Sequence, residues 1–272
     1  MSTVLILANE TIAGATLLDR IKERSQEGAR FFVVVPQTKP RHGNVIYDDV
    51  VRDSAQVRVD LAVEFIRDLG AAGEGEVGDA DPFNAAMDAV RAQPIDEILV
   101  STLPETASGW LRRDLIERLQ EATNVPVEHV VVDLAAEGLP FGVTLVVANL
   151  TVAAPELVER LKALAEEGPR RFIVVVPQSG RQGHRVREAR QRARRLLAAL
   201  DDVGIVAAGM IGDPDPYTAI MNAVQYFHIS EIVISTLPEG SSQWVADKLV
   251  ERVRGATNVP VEHIESHVKA EA

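Results

Sequence analysis

Short continuous apolar runs alternate along this chain with stretches whose apolar residues recur every three or four positions. The runs are four to eight residues long, and such runs predict strands buried on both faces, as in a parallel sheet. In the first half they fall near residues 3–8, 31–36, 74–78, 96–101 and 127–132. In the second half they fall near 143–148, 171–177, 204–210, 231–235 and 260–265. Between them the spacing becomes helical. Leu111, Leu115 and Leu119 are matched by Val245, Leu249 and Val253, which predicts one helix through each set. Val186, Ala189, Ala193, Leu196, Leu197 and Leu200 form another apolar stripe, and Gly168-Pro169 ends the helix before it. Strand and helix in strict alternation give βαβ units with right-handed crossovers.

The pattern then repeats. Phe31-Phe-Val-Val-Val-Pro-Gln37 returns as Phe172-Ile-Val-Val-Val-Pro-Gln178. Ile98-Leu-Val-Ser-Thr-Leu-Pro-Glu105 returns as Ile232-Val-Ile-Ser-Thr-Leu-Pro-Glu239, and Ala122 to His129 returns unchanged as Ala256 to His263. Gly78-Asp79-Ala-Asp-Pro82 returns as Gly212-Asp213-Pro-Asp-Pro216. The blocks keep their order, and their separation far exceeds a solenoid repeat of roughly 20–50 residues. The chain is read as a tandem duplication of an α/β domain, covering residues 1–134 and 141–272. Gly138, Pro140 and Gly142 break the periodicity at the seam. Each copy is expected to be a doubly wound, Rossmann-like domain with a five-stranded parallel sheet. Ligands of such sheets bind beyond the carboxyl ends of the strands.

Composition narrows the chemistry. The net charge of −12 opposes attraction to nucleic acid or an anionic membrane. Cysteine is absent, which removes disulfides and thiolate chemistry. The longest apolar runs are too short to span a bilayer. Met1 to Leu7 reads as a first strand, not a signal peptide. A soluble cytoplasmic protein without membrane insertion is expected.

Within each half a strand is followed by Gly-Asp-x-x-Pro and a helix. Then come an Asp/Ser-Glu-Ile strand, a polar loop, a helix and a short Val-Pro-Val strand. Over Gly78 to Val132 and Gly212 to Ile264, this order resembles the universal stress protein family. The first two strands of each half fit more loosely. The chain is similar to a tandem member, in which two domains imitate the family's usual dimer. The resemblance implies a universal stress protein-like fold, an intramolecular pseudo-dimer, and pairing of the final strands Val127 to Val132 and Val261 to Ile264. Family members that bind ATP carry an Asp after strand one and a Gly-x2-Gly-x9-Gly-Ser/Thr loop after strand four. Here the strand-one ends read Asn9-Glu10-Thr11 and Asn149-Leu150-Thr151. Each strand-four loop holds one glycine and a glutamate, Glu105 or Glu239, where phosphate would lie. A like charge disfavours phosphate, so ATP binding is expected to be weak or lost, and no cofactor is assigned.

The segments after strands one, two and four converge at the carboxyl edge of such a sheet. They carry the candidate ligand-binding residues. In the first half these are Asn9, Thr11, Gln37, Ser101, Thr102, Thr106 and Ser108. In the second they are Asn149, Thr151, Gln178, Ser235, Thr236, Gly240, Ser241 and Ser242. The helix N-terminus after strand four favours a small anion, unless Ser108 and Ser242 cap it. The second site is favoured, because Leu150 replaces Glu10 and Gly240 enters the loop. Asn9, Thr11, Asn149 and Thr151 read equally as caps of the following helix. Trp110 and Trp244 read either as stacking plates for a flat ligand or as packing residues. Asp79, Asp81, Asp213 and Asp215 read as caps and not as metal ligands. The histidines lack any metal or nucleophile motif, and His129 and His263, at equivalent sites on the last strand, suit a structural or interface role. The arginines from Arg181 to Arg195 read as a solvated face pairing with acids. The expected function is a non-enzymatic binding or regulatory module. The alternatives are a genuine nucleotide binder and a structural, partner-binding domain. The protein partner is unknown, and a homo-oligomer stays open.

Overall fold

The computed structural model describes residues 2–104, 114–152, 154–179 and 184–267. The chain forms two compact units, residues 1–38 with 55–140, and residues 39–54 with 141–272.

The first unit's sheet contains β1 (Thr3–Leu7), β2 (Arg30–Pro36), β3 (Gly73–Gly78), β4 (Glu97–Thr102) and β5 (Val127–Val131), in the order β3-β2-β1-β4-β5. All neighbours are parallel. The second unit's sheet contains β6 (Gly142–Val147), β7 (Arg170–Pro177), β8 (Ala207–Gly212), β9 (Glu231–Thr236) and β10 (Val261–Glu265), in the order β10-β9-β6-β7-β8, again all parallel. The fold is therefore the doubly wound α/β arrangement expected from the alternation. The first strand of each sheet is central, with all of β1 and all of β6 but Gly142 buried, which is why each reads as an apolar run. Strand β8 begins three residues later than the sequence predicts. Gly204 takes φ +74 to close the preceding helix, and the strand starts only after that turn.

The flanking helices bury the predicted stripes. In the first unit, Leu5, Leu7, Val34, Ile98 and Val100 pack with Ala85, Ala86 and Ala89 of α3 (Pro82–Ala92) and Leu115 and Leu119 of α4 (Leu115–Ala122). In the second, α7 (Arg185–Asp201) buries Ala189, Ala193, Leu196 and Leu200. Asp81 Oδ1 accepts from the N–H groups of Phe83 and Asn84. Asp215 Oδ2 accepts from Thr218 N–H at the start of α8 (Pro216–Tyr226). Asp79 and Asp213 brace these caps through the N–H groups of Asp81 and Asp215. These four carboxylates are thus capping groups.

The Val245, Leu249, Val253 stripe does not lie on one helix. Lys248 takes φ +52 and separates α9 (Gln243–Ala246) from α10 (Leu249–Ala256). Asp114, at φ +49, precedes α4 in the same way. Leu111 lies outside the described residues. No helix among the described residues is long and apolar enough to cross a membrane.

Candidate functional site

In each unit the chain order reverses between the central strand and its neighbour, β1 with β4 and β6 with β9. The crevice beyond their carboxyl ends is where such sheets place ligands. In the second unit it holds a cavity of about 170 Å³ lined by Asn149, Leu150, Thr151, Ser235, Thr236, Leu237, Ser241, Ser242, Gln243 and Trp244. Six of these were singled out as ligand residues from the sequence: Asn149, Thr151, Ser235, Thr236, Ser241 and Ser242. Trp244 is half-buried and contributes to the wall, so it is not a core residue.

The floor is a chain of hydroxyls. Thr151 Oγ1 donates to the Ser235 carbonyl at 3.1 Å, and Ser235 Oγ donates to Thr151 Oγ1 at 2.8 Å. Ser266, fully buried after β10, lies 3.0 Å from Ser235 Oγ. Thr236 Oγ1 donates to the Leu237 carbonyl and lies 2.8 Å from His263 Nε2. His263 therefore supports the floor from the neighbouring strand, the structural role read for it. Asn149 and Thr151 are not helix caps. The N-cap of α6 (Pro155–Glu166) is Ala154, and the Thr151 hydroxyl is turned to β9.

Arg192 was missed. It lies within the basic run of α7, which the sequence assigns to a solvated face. Its side chain is instead 15% exposed. It donates to Asn149 Oδ1, to Ser179 Oγ and to the Ser179 carbonyl, and pairs with Glu188 at 3.3 Å. Asn149 Nδ2 donates to Ser179 Oγ at 2.6 Å. Burial pulls the Arg192 guanidinium below its ordinary value. The helical period could have revealed it. Arg192 falls beside Ala189, Ala193 and Leu196, at the margin of the buried stripe. Arg190 does follow the expected pattern, pairing with Asp49 at 2.8 Å and Asp53 at 3.0 Å.

Three other candidates have different tasks. Gly240 takes φ +87, and Ser241 N–H donates to the Pro238 carbonyl. A turn needing positive φ at its third position selects glycine there, so Gly240 shapes the turn and does not line the cavity. Glu239 occupies the exposed tip of the same turn. Ser242 caps α9 through Val245 N–H. That helix is a single turn, so it supplies no extended N-terminus to hold an anion. Gln178 is buried at the end of β7, where its backbone N–H meets the Gly212 carbonyl. Its side-chain Nε2 has no hydrogen-bond partner among the described residues.

The first unit repeats the framework with different satisfaction. Asn9 Nδ2 donates to Thr38 Oγ1, as Asn149 does to Ser179. Thr102 Oγ1 lies 2.9 Å from His129 Nε2, as Thr236 does from His263. Gln37 Nε2 donates to the Gly78 carbonyl and ties β2 to β3. Asn9 Oδ1, Thr11 Oγ1 and Ser101 Oγ are buried with no hydrogen-bond partner among the described residues. Val132 stands where the second unit has Ser266. Arg58, in the repeat position of Arg192, is 1% exposed. Asn9 and Thr11 are not caps either, since Gly14 is the N-cap of α1 (Ala15–Gln26) and Glu137 accepts from Thr16 N–H. Glu105, Thr106, Ser108 and Trp110 lie outside the described residues. Among those described, no group of three His, Asp or Glu residues is arranged to hold a metal ion.

The chain is similar to the crystal structure of a universal stress protein from Archaeoglobus fulgidus DSM 4304. The two share 18% identity over 97% of this chain and 96% of that chain, with a TM-score of 0.36. No family model matches the chain, and a search of curated proteins found no match.

Proposed function

We propose that the chain is a non-enzymatic, universal stress protein-like binding module whose second unit takes a small ligand, and in which ATP binding is weak or lost. The observation that carries this reading is the size and lining of the second unit's cavity. Clefts for drug-sized ligands run to roughly 300–1,000 Å³, against about 170 Å³ here. A nucleoside triphosphate needs backbone N–H groups or cations around its phosphates. None of the ten lining residues is charged, and Arg192 is engaged with Glu188 and Asn149. The same lining argues for binding over catalysis. It contains no side chain that exchanges a proton near neutral pH, as a general acid or base must. A regulatory role follows if the loop between Thr236 and Gln243 changes conformation on binding.

Calorimetry with Mg-ATP tests the reading. No binding tighter than millimolar is expected. A micromolar dissociation constant, about −8 kcal/mol, would overturn it in favour of a genuine nucleotide binder.

A further inference from the structure

The hydroxyls and amide of the second unit's cavity have a fixed direction of hydrogen bonding, and that direction selects a ligand. Each hydroxyl has one proton and two lone pairs. The Thr151 proton goes to the Ser235 carbonyl, so Ser235 must donate to Thr151, and Ser266 must in turn donate to Ser235. The Thr236 proton goes to the Leu237 carbonyl, so the contact with His263 is a donation from Nε2–H. All four floor protons are engaged within the protein. What Thr151, Ser235 and Thr236 have left to offer is lone pairs. Asn149 is the reverse case. Its Oδ1 is held by Arg192 and one Nδ2 hydrogen by Ser179, which leaves its second Nδ2 hydrogen.

The rest of the wall is mixed: Ser241, Ser242 and Gln243 form its polar rim beyond the floor, and the remaining side chains are apolar or aromatic. Leu150 and Leu237 sit with Trp244, and Leu150 is 58% exposed, unusual for a large apolar side chain. The exposed leucine stands where the first half has Glu10. An ion moved into this lining would lose hydration and meet no counter-charge. An anion on the floor would in addition face the oxygen lone pairs of Thr151, Ser235 and Thr236.

We infer that the cavity takes a small, flat, uncharged primary carboxamide carried on a ring. Its N–H groups face Thr151, Ser235 and Thr236, its carbonyl faces Asn149 Nδ2, and its ring packs against Trp244, Leu237 and Leu150. An engineered apolar cavity of roughly 150 Å³ accommodates the six carbons of benzene, so about 170 Å³ takes the carboxamide and most of its ring, the rest lying at the open side against Leu150. The inference rests on the binding-module reading and narrows its ligand from the small anion that the sequence suggests.

Three ring compounds of one shape and different charge provide the test: benzamide, benzoate and benzamidinium, with inorganic phosphate as a fourth probe. Fluorescence is read in the full chain carrying Trp110→Phe, which leaves Trp244 as the sole indole. Benzamide is expected to give a saturable change, with affinity at least about tenfold above the two charged analogues, given the cost of burying an unpaired charge. Phosphate is expected to give none. Ser241→Phe places a ring in the cavity from an exposed position. It is expected to abolish the signal while leaving the melting temperature unchanged. Benzoate or phosphate binding as well as benzamide would overturn the inference. So would a benzamide signal that survives in Ser241→Phe, or no saturable response to any probe. The binding-module reading falls separately, on micromolar Mg-ATP affinity in calorimetry.

Discussion

Thr151 and Ser235 have a third hydroxyl, Ser266, to complete their chain. Thr11 and Ser101 have Val132 in its place. The exchange is compensated across the strand end. A Cβ built on Gly14 would come within 2.2 Å of Val132 Cγ1, so glycine accompanies valine. The second unit pairs Ala154 with Ser266, the smaller side chain leaving room for the extra methyl. Gly14 has φ −67, so alanine is conformationally acceptable there and contacts alone oppose it, Val132 foremost and Leu134 Cδ2 and the Thr11 carbonyl less closely at 3.3 Å. Gly14→Ala is therefore expected to cost about 1–3 kcal/mol from overpacking. In a Val132→Ser background the same change is expected to cost clearly less, since only the contacts with Leu134 and the Thr11 carbonyl remain. Urea denaturation of the two single variants and the double would yield the coupling. Additive effects would show that the two positions do not share a volume. At this scale the sequence exposes the hydroxyls but not their bonding. Asn149, Thr151 and Ser235 are visible as polar residues ending apolar runs. Ser266 lies beyond the last run, and Arg192 among arginines of which several are solvated. Only side-chain direction distinguishes them.

Strands were the most legible elements, because burial on both faces leaves a continuous apolar run. All ten appear where the runs predict them, with β8 delayed by its turn. The helix after strand four was misread. Two apolar residues four apart look alike whether or not a left-handed residue interrupts the backbone, and Lys248 carries no marker of positive φ in its identity. The last strands, β5 and β10, lie at the edges of their own sheets. On β5 the His129 ring is partly buried, and desolvation lowers its pKa from 6.5. The unfolded chain therefore binds more protons than the folded one just below pH 6.5. The contribution of His129 to stability is complete above that pH, and is lost as pH falls through its depressed folded value. His129→Gln is expected to flatten this part of the stability profile, as read by urea midpoints between about pH 5 and pH 7.5. An unchanged slope would mean that His129 is not the group responsible.

Over the whole chain, duplication was readable from repeated blocks, but the membership of residues 39–54 was not. Sequence adjacency assigns them to the first half, while their contacts place them in the second unit. Nothing in a repeat alignment reports such contacts, because they join stretches some 180 positions apart. Two amides hold the segment. Asn222, 3% exposed on α8, accepts from His42 N–H at 3.0 Å and donates to the His42 carbonyl at 3.2 Å. Gln225 accepts from Arg41 N–H at 2.7 Å and donates to the Lys39 carbonyl at 3.4 Å. The peptide bond between Arg41 and His42 is thereby fixed by side chains on both of its residues. A protease must draw that bond into an extended conformation, so cleavage requires the segment to open first. Asn222→Leu keeps much of the side-chain volume and removes both bonds to His42. At about 0.5–1.5 kcal/mol per hydrogen bond, loss of the two bonds should make opening roughly 5- to 160-fold more frequent. Native-state digestion with trypsin is expected to cut after Arg41 faster by that factor, while circular dichroism and the global urea midpoint change less. Arg190→Ala, which removes the pairing with Asp49 and Asp53 further along the same segment, is expected to act in the same direction with a smaller effect, because that pair is partly exposed and screened. Equal cleavage rates in the parent and Asn222→Leu would show that Asn222 does not hold the segment, and would leave its place in the second unit to Gln225, Arg190 and packing.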